Sequence, residues 1–355
     1  MELTPIRVRG KRRAGDQLLV APPPKRAHKD RSQKKQAGVC RPKVSYLEKS
    51  LPLEILERIF WLSENVNFPR ASPRLGRLLS GPSTLRETFL SAFGPTWEVW
   101  FGCVDGRDAS GYFPVVHSYA GWDEDVDRFG GNPGFQTDLL ACSWTTIDMI
   151  LDCRDIWVRR HARNLPFEHI PLWLNMHSPQ LRIYSGTANT SNDAEGAKSY
   201  FRHDYEAFRQ IGNNPDYYND WLDPAERHDS TWIDVHRSTQ IPDDLITGPW
   251  DESSLQKLFW LVQAGARLSS SQTWEVTCEG FSNAMSDRYA PNMTVIRLLH
   301  MLGAFENWPE HVISHELRNV DDTMHAASHV LKKEDAITLV MRYRYLRMVL
   351  KFRSR

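Results

Sequence analysis

Apolar residues recur at helical spacing along most of this chain, and the first clear stretch begins at Ser50. Leu51, Ile55, Ile59 and Leu62 follow one another at steps of three and four, with Leu56 and Phe60 beside them, while Glu54, Glu57, Arg58 and Glu64 fall elsewhere. Ser50 suits a helix N-cap, Pro52 the first turn, and Glu54 the positive end of the helix dipole. A break over 65–69 precedes a short pattern over 74–80. Gly81-Pro82 then separates that pattern from a third over 83–93, which carries Leu85, Phe89, Leu90 and Phe93. The spacing predicts three short helices, which cannot bury all their apolar faces on one another.

Beyond them, 97–101 and 113–119 are short aromatic runs between Gly and Asp, read as short strands or irregular packing. Helices are predicted over 135–143 and 145–164, the second ending in Arg159-Arg160-His161-Ala162-Arg163, cations that complement a helix C-terminus. Residues 165–196 have loop composition, with a short helix over 171–176, and a helix over 197–211 carries Tyr200, Phe201, Tyr205 and Phe208. Alternation over 232–236 predicts one strand. Two later segments resemble each other. Residues 253–268 and 294–305 each form an apolar helix that ends at a glycine, Gly265 or Gly303, able to take the left-handed cap conformation. Helices over 310–319, 321–331 and 334–352 close the chain.

The stretch from Leu51 resembles the F-box, whose pattern opens with Leu-Pro and an acidic residue before an Ile/Leu-rich first helix. Leu51, Pro52, Glu54, Ile55, Leu56, Ile59 and Phe60 stand in those places, and the segment 67–75 (Asn-Phe-Pro-Arg-Ala-Ser-Pro-Arg-Leu) is similar to a group of filamentous-fungal F-box-like proteins. The Val-Cys-x-x-Trp signature of the common third helix is missing. Residues 241–250 resemble an element of the same fungal group, which extends the likeness over most of 46 to about 305. The Leu-Val-x-Ala-Gly-Ala-x-Leu run at 261–268 resembles the second helix of an ankyrin repeat. The two glycines, however, are 38 positions apart, whereas ankyrin units recur at about 33, and no Thr-Pro-Leu-His occurs. The fold class implied is mainly α: a three-helix F-box-like module followed by an irregular, ankyrin-like helical array with few or no short strands. The corresponding segments are a disordered basic tail over 1–45, the F-box-like module over 46–95, a helical and irregular middle region over 96–196, and a degenerate ankyrin-like domain over 197–355.

Charge adds one asymmetry. The 355 residues hold 44 Lys/Arg and 44 Asp/Glu, but residues 1–50 carry 14 basic against 4 acidic side chains, leaving 30 against 40 for the rest. The clusters Lys11, Arg12, Arg13 and Lys25, Arg26, Lys29, Arg31, Lys34, Lys35 suit an acidic groove, and nuclear import is the use they point to, with an import receptor as partner. No aromatics interleave them, so nucleic-acid stacking is not signalled. Five cysteines without a Cys-x-x-Cys pair favour reduced thiols inside a cell, and neither a secretory signal nor a membrane span is expected.

Candidate chemistry is sparse. The run 122–127 lacks the spacing of a calcium loop. The pairs His311/His315 and His325/His329 lack the further ligands of a zinc site, and the glycine-rich stretch 130–134 lacks the phosphate-cradling Lys. No metal site, no cofactor and no catalytic residue is assigned. The cations Arg342, Arg344, Arg347 and Lys351 accompany an apolar pattern in the last helix, read as packing its apolar side on the domain edge.

The resemblance therefore implies a non-enzymatic substrate receptor, nuclear or cytoplasmic, of a cullin-RING ubiquitin ligase. Leu51, Pro52, Ile55, Leu56, Ile59 and Phe60 would contact the Skp-type adaptor, and the C-terminal helices would bind an unidentified target protein. The alternative is a nuclear scaffold or nucleic-acid-associated protein that uses the basic tail.

Overall fold

The computed structural model describes residues 46–102, 130–161, 197–213, 234–236, 238–287, 289–330 and 333–351. The basic tail, the acidic run 122–127, the stretch 113–119 and the loop 165–196 lie outside them. Residues Tyr46–Arg355 form one compact unit. The described residues are mainly helical and contain no β-strand; one isolated parallel bridge joins Gln240 to Arg267. Of the stretch predicted as a strand, Asp234, Val235 and His236 are irregular, with a bend at Val235, and belong to no sheet. Their course is held instead by the N–H groups of Asp234 and Val235, which donate to Ala264 O.

A short 3-10 turn at Pro69–Ala71 and thirteen α-helices are described. The helices are α1 (Tyr46–Ser50), α2 (Leu53–Ser63), α3 (Pro73–Leu79), α4 (Pro82–Gly102), α5 (Pro133–Leu140), α6 (Ile147–His161) and α7 (Ala197–Asn213), followed by α8 (Asp243–Thr247), α9 (Glu252–Gln263), α10 (Trp274–Ala284), α11 (Met293–Met301), α12 (Glu310–Val330) and α13 (Lys333–Lys351). Several differ from the sequence reading for identifiable reasons. Ser50 closes α1 rather than capping α2, whose N-cap is Pro52 with no side-chain hydrogen bond. The third helix does not stop near 93: α4 runs on through Pro95 and Trp97, because Phe89, Phe93 and Trp97 all face the main core. The helix therefore crosses the module boundary placed at 95/96, and 97–101 is helix rather than strand. Likewise α6 packs against α7 across the boundary placed at 196/197. The two helices predicted over 310–331 are one, α12.

The core has two parts. A satellite cluster of Leu56, Phe60, Leu75 and Leu79 lies between α2 and α3. The main core draws on α4 to α13 and is rich in aromatics: Phe201, Tyr205 and Phe208 of α7 surround Phe259, with ring centroids 5.7, 5.2 and 5.0 Å away, and Phe281, Phe305 and Trp308 pack edge to face.

From residue 243 onward two helical hairpins stack. α8 packs on α9 and α10 on α11, while α8 also meets α10 and α9 meets α11, so first helices lie against first helices and second against second. The two second helices end identically. Gly265 and Gly303 adopt φ 83 and 69; Ala266 N donates to Leu261 O at 3.0 Å and Ala304 N to Leu299 O at 3.0 Å, the six-to-one bond of a Schellman cap. The intervening helix α10, which the apolar pattern did not announce, crosses α8 so closely that a Cβ at Gly280 would run into Ile246 O. Gly280→Ala should therefore reverse the usual gain from replacing a helical glycine and lower stability by about 1–3 kcal/mol. Chemical denaturation compared with the exposed control Ser282→Ala measures this.

Candidate functional site

Helix α2 presents four different edges. Leu56 and Phe60, each 2 % exposed, point down onto Leu75 and Leu79 of α3, with Phe68 stacked beside Phe60 at 6.3 Å. One step round the helix, Glu57 and Trp61 face α4. Thr84 Oγ1 donates to Glu57 Oε1 at 2.5 Å, and Trp61 Nε1 donates to Thr88 Oγ1 at 3.0 Å. Glu54 and Arg58 form a solvated polar edge, and the fourth edge is Ile55, Ile59 and Leu62, spaced four and three apart. Glu64 ends the helix in the left-handed region, φ 49, and its carboxylate accepts from Asn132 Nδ2 at 2.6 Å. Asn132 in turn caps α5, its Oδ1 accepting from Gly134 N and Phe135 N.

These edges sort the six residues assigned to partner contact. Ile55 and Ile59 are 40 % and 36 % exposed, Pro52 is exposed, and Leu51 is half-buried against the satellite core. Leu56 and Phe60 are core residues, enclosed because α3 folds back beneath α2. Two residues left out of the assignment are exposed instead. Leu62, at 82 %, extends the ridge of Ile55 and Ile59, and Leu53 begins the helix on another side. The signal for Leu62 was its place in the i, i+4, i+7 series; periodicity alone did not say that this half of the apolar surface is exposed among the described residues. Among the described residues seven large hydrophobic side chains are exposed, and four of them are on this one helix. Such concentration on eleven residues departs from the ordinary single scatter of exposed apolar groups and makes α2 the candidate surface.

Groups with reactive potential elsewhere are held in structural roles. Burial raises the thiols of Cys142, Cys153 and Cys278, Cys153 to about 12, so they stay protonated at neutral pH. Lys257 of α9 donates from Nζ to Leu140 O at 2.5 Å, capping the C-terminal end of α5, and burial lowers it to about 8. Among the described residues no group of three or more His, Cys, Asp or Glu is placed to hold a metal, and no helix is long and apolar enough to cross a membrane. The import-signal residues Lys11, Arg12, Arg13, Lys25, Arg26, Lys29, Arg31, Lys34 and Lys35 lie outside the described residues. Comparison with protein-family models, with curated proteins and with solved structures finds no match for this chain.

The division of α2 is tested by stability. Phe60→Ala should cost about 3–5 kcal/mol, as for a large buried side chain, whereas Leu62→Ser should stay within about 0.5 kcal/mol. Equal effects in urea denaturation would contradict the burial pattern. Lys257 has a pH signature. Because its folded pKa is below its ordinary value of 10.5, the unfolded state binds more protons between about 8 and 10.5, and stability contributed by this site rises with pH across that window. The stability of the wild-type chain relative to Lys257→Met should accordingly rise from pH 8 to pH 10, measured by the denaturation midpoint at each pH.

Proposed function

We propose that this chain is a non-enzymatic adaptor: an F-box-like substrate receptor whose α2 surface docks the Skp-type subunit of a cullin-RING ubiquitin ligase. The observation that carries the reading is the exposed apolar ridge of Ile55, Ile59 and Leu62, led by Leu51 and Pro52. A Leu-Pro entry followed by a short amphipathic helix is the F-box pattern, and here the helix turns part of its apolar surface outward on a small satellite core. The contact set is revised accordingly to Leu51, Pro52, Ile55, Ile59 and Leu62.

The stacked hairpins of α8 to α11 support the ankyrin-like half of the proposal, since each second helix ends in the same glycine cap and each helix stacks on its counterpart. Arrays of this kind offer long surfaces for protein targets. The chain's contribution to catalysis in the ligase is proximity, holding a target where its lysines meet the charged ubiquitin carrier at high effective concentration. The basic clusters of residues 11–35 would engage an import receptor and give access to the nucleus.

The experiment is co-expression with a Skp-type adaptor followed by affinity purification and size-exclusion chromatography. A stoichiometric complex is expected for the unaltered chain, and Ile55→Asp/Ile59→Asp should abolish it while leaving the thermal melt within a few degrees, because both sites are exposed. A chain that never retains the adaptor would end the proposal.

A further inference from the structure

Helix α2 meets the rest of the chain along a line of directed polar bonds. Among the described residues, the satellite cluster under α2 is separate from the main core, to which α4 contributes Phe89, Phe93 and Trp97. Between the two clusters stand Thr84 and Thr88, both buried and four apart on one face of α4. Opposite them on α2 are Glu57 and Trp61, also four apart. Thr84 Oγ1 donates to Glu57 Oε1 at 2.5 Å; Thr88 Oγ1 accepts from Trp61 Nε1 at 3.0 Å and donates to Thr84 O at 2.8 Å. Each threonine hydroxyl is therefore committed, and Thr88 is itself oriented by the backbone of its own helix. At the far end of α2, Asn132 Nδ2 donates to Glu64 Oε2 at 2.6 Å, and Val66 packs on the main core.

Apolar contact is non-directional, so two helices joined by it alone keep their attraction through small slides and rotations. A hydrogen bond loses its energy within a few tenths of an ångström or a few tens of degrees, and a buried hydroxyl or carboxylate that loses its partner there is costly. Two such bonds about 6 Å apart along α4 hold α2 at two points, which fixes both its shift along α4 and its rotation about its own axis. We propose that Thr84 and Thr88 are positioning residues: they set the angle at which the ridge of Ile55, Ile59 and Leu62 is presented relative to the stacked hairpins of α8 to α11. The use of that angle rests on the adaptor reading given above. In a receptor that works by proximity, a docking face held at one orientation keeps the target at a higher effective concentration than a face that swings. The geometry that fixes the angle belongs to this chain alone and is measured without any partner.

The test reads orientation directly. In the full chain, p-azidophenylalanine at the exposed positions Arg58 of α2 and Ser282 of α10 carries a donor and an acceptor dye for single-molecule energy transfer. One narrow transfer population is expected. Thr84→Val/Thr88→Val keeps the side-chain shape and removes both hydroxyls, and should shift or broaden that population well below the melting temperature. Thr84→Ser/Thr88→Ser keeps the hydroxyls and should restore the narrow one. Glu57→Ala/Trp61→Phe breaks the same two bonds from the half-buried α2 side and should match the valine variant, which keeps the test decisive if the valine variant does not fold. A narrow, unshifted population in either bond-breaking variant, with a lowered melt as the sole effect, assigns the threonines a purely structural role and overturns the proposal. So does a broadened population in the serine variant. Affinity for the Skp-type adaptor, measured on the same proteins, should stay within about twofold in the valine variant, because the ridge is unaltered. Loss of adaptor binding by the unaltered chain would end the adaptor reading and leave the transfer result standing.

Discussion

The amide of Gln136 is the joint on which the rest of this structure turns. It is fully buried in α5, and all its hydrogen-bonding capacity is directed at two other pieces of chain: Nε2 donates to Ala92 O at 2.9 Å and to Thr96 Oγ1 at 2.8 Å in α4, while Oε1 accepts from His236 N and from Thr239 Oγ1, each at 2.8 Å. A buried amide left half-satisfied costs as much as the bonds are worth, so the network is stable only when α4, α5 and the 234–240 segment arrive together. Neighbouring contacts reinforce the same junction. Trp97 Nε1 donates to Asp234 O at 2.9 Å, Asp234 also pairs with the buried Arg154, and that guanidinium lies 5.5 Å over the Trp97 ring. Through this junction the N-terminal helices and the stacked hairpins share one core.

That arrangement explains why α2 has surface to spare. α4 commits Phe89, Phe93 and Trp97 to the main core and meets α2 through Thr84 and Thr88, a polar seam. α3 supplies Leu75 and Leu79, enough to cover Leu56 and Phe60. Among the described residues no element covers Ile55, Ile59 and Leu62. α13 shows the opposite economy: its inner face is fully used in packing, and its outer face pairs aliphatic groups with cations.

Helical class and most helix positions were legible because the 3.6-residue periodicity of apolar residues is a local property, readable wherever one face is buried. The capping glycines Gly265 and Gly303 were legible for the same reason, since a left-handed residue after an apolar helix is a local steric requirement that glycine meets without strain. Failures occurred where a neighbour decided. α4 extends to Gly102 because its later turns have a core to face, α12 is continuous because α13 packs along it, and α10 carries an apolar pattern interrupted by Thr277 and Gly280. Both of those residues serve contacts invisible in one dimension: Trp308 Nε1 donates to Thr277 Oγ1 at 2.9 Å, and Gly280 admits the backbone of α8.

The candidate surface shows the same division. Sequence by itself determined that α2 would be an amphipathic helix with more apolar side chains than one short module can cover, because spacing and volume are properties of the residues. Which of those side chains would be covered was decided only in three dimensions, by α3 closing beneath Leu56 and Phe60 while, among the described residues, no element closes over Ile55, Ile59 and Leu62. Periodicity reports that a residue has an apolar neighbour somewhere; only the packed structure says which neighbour it is.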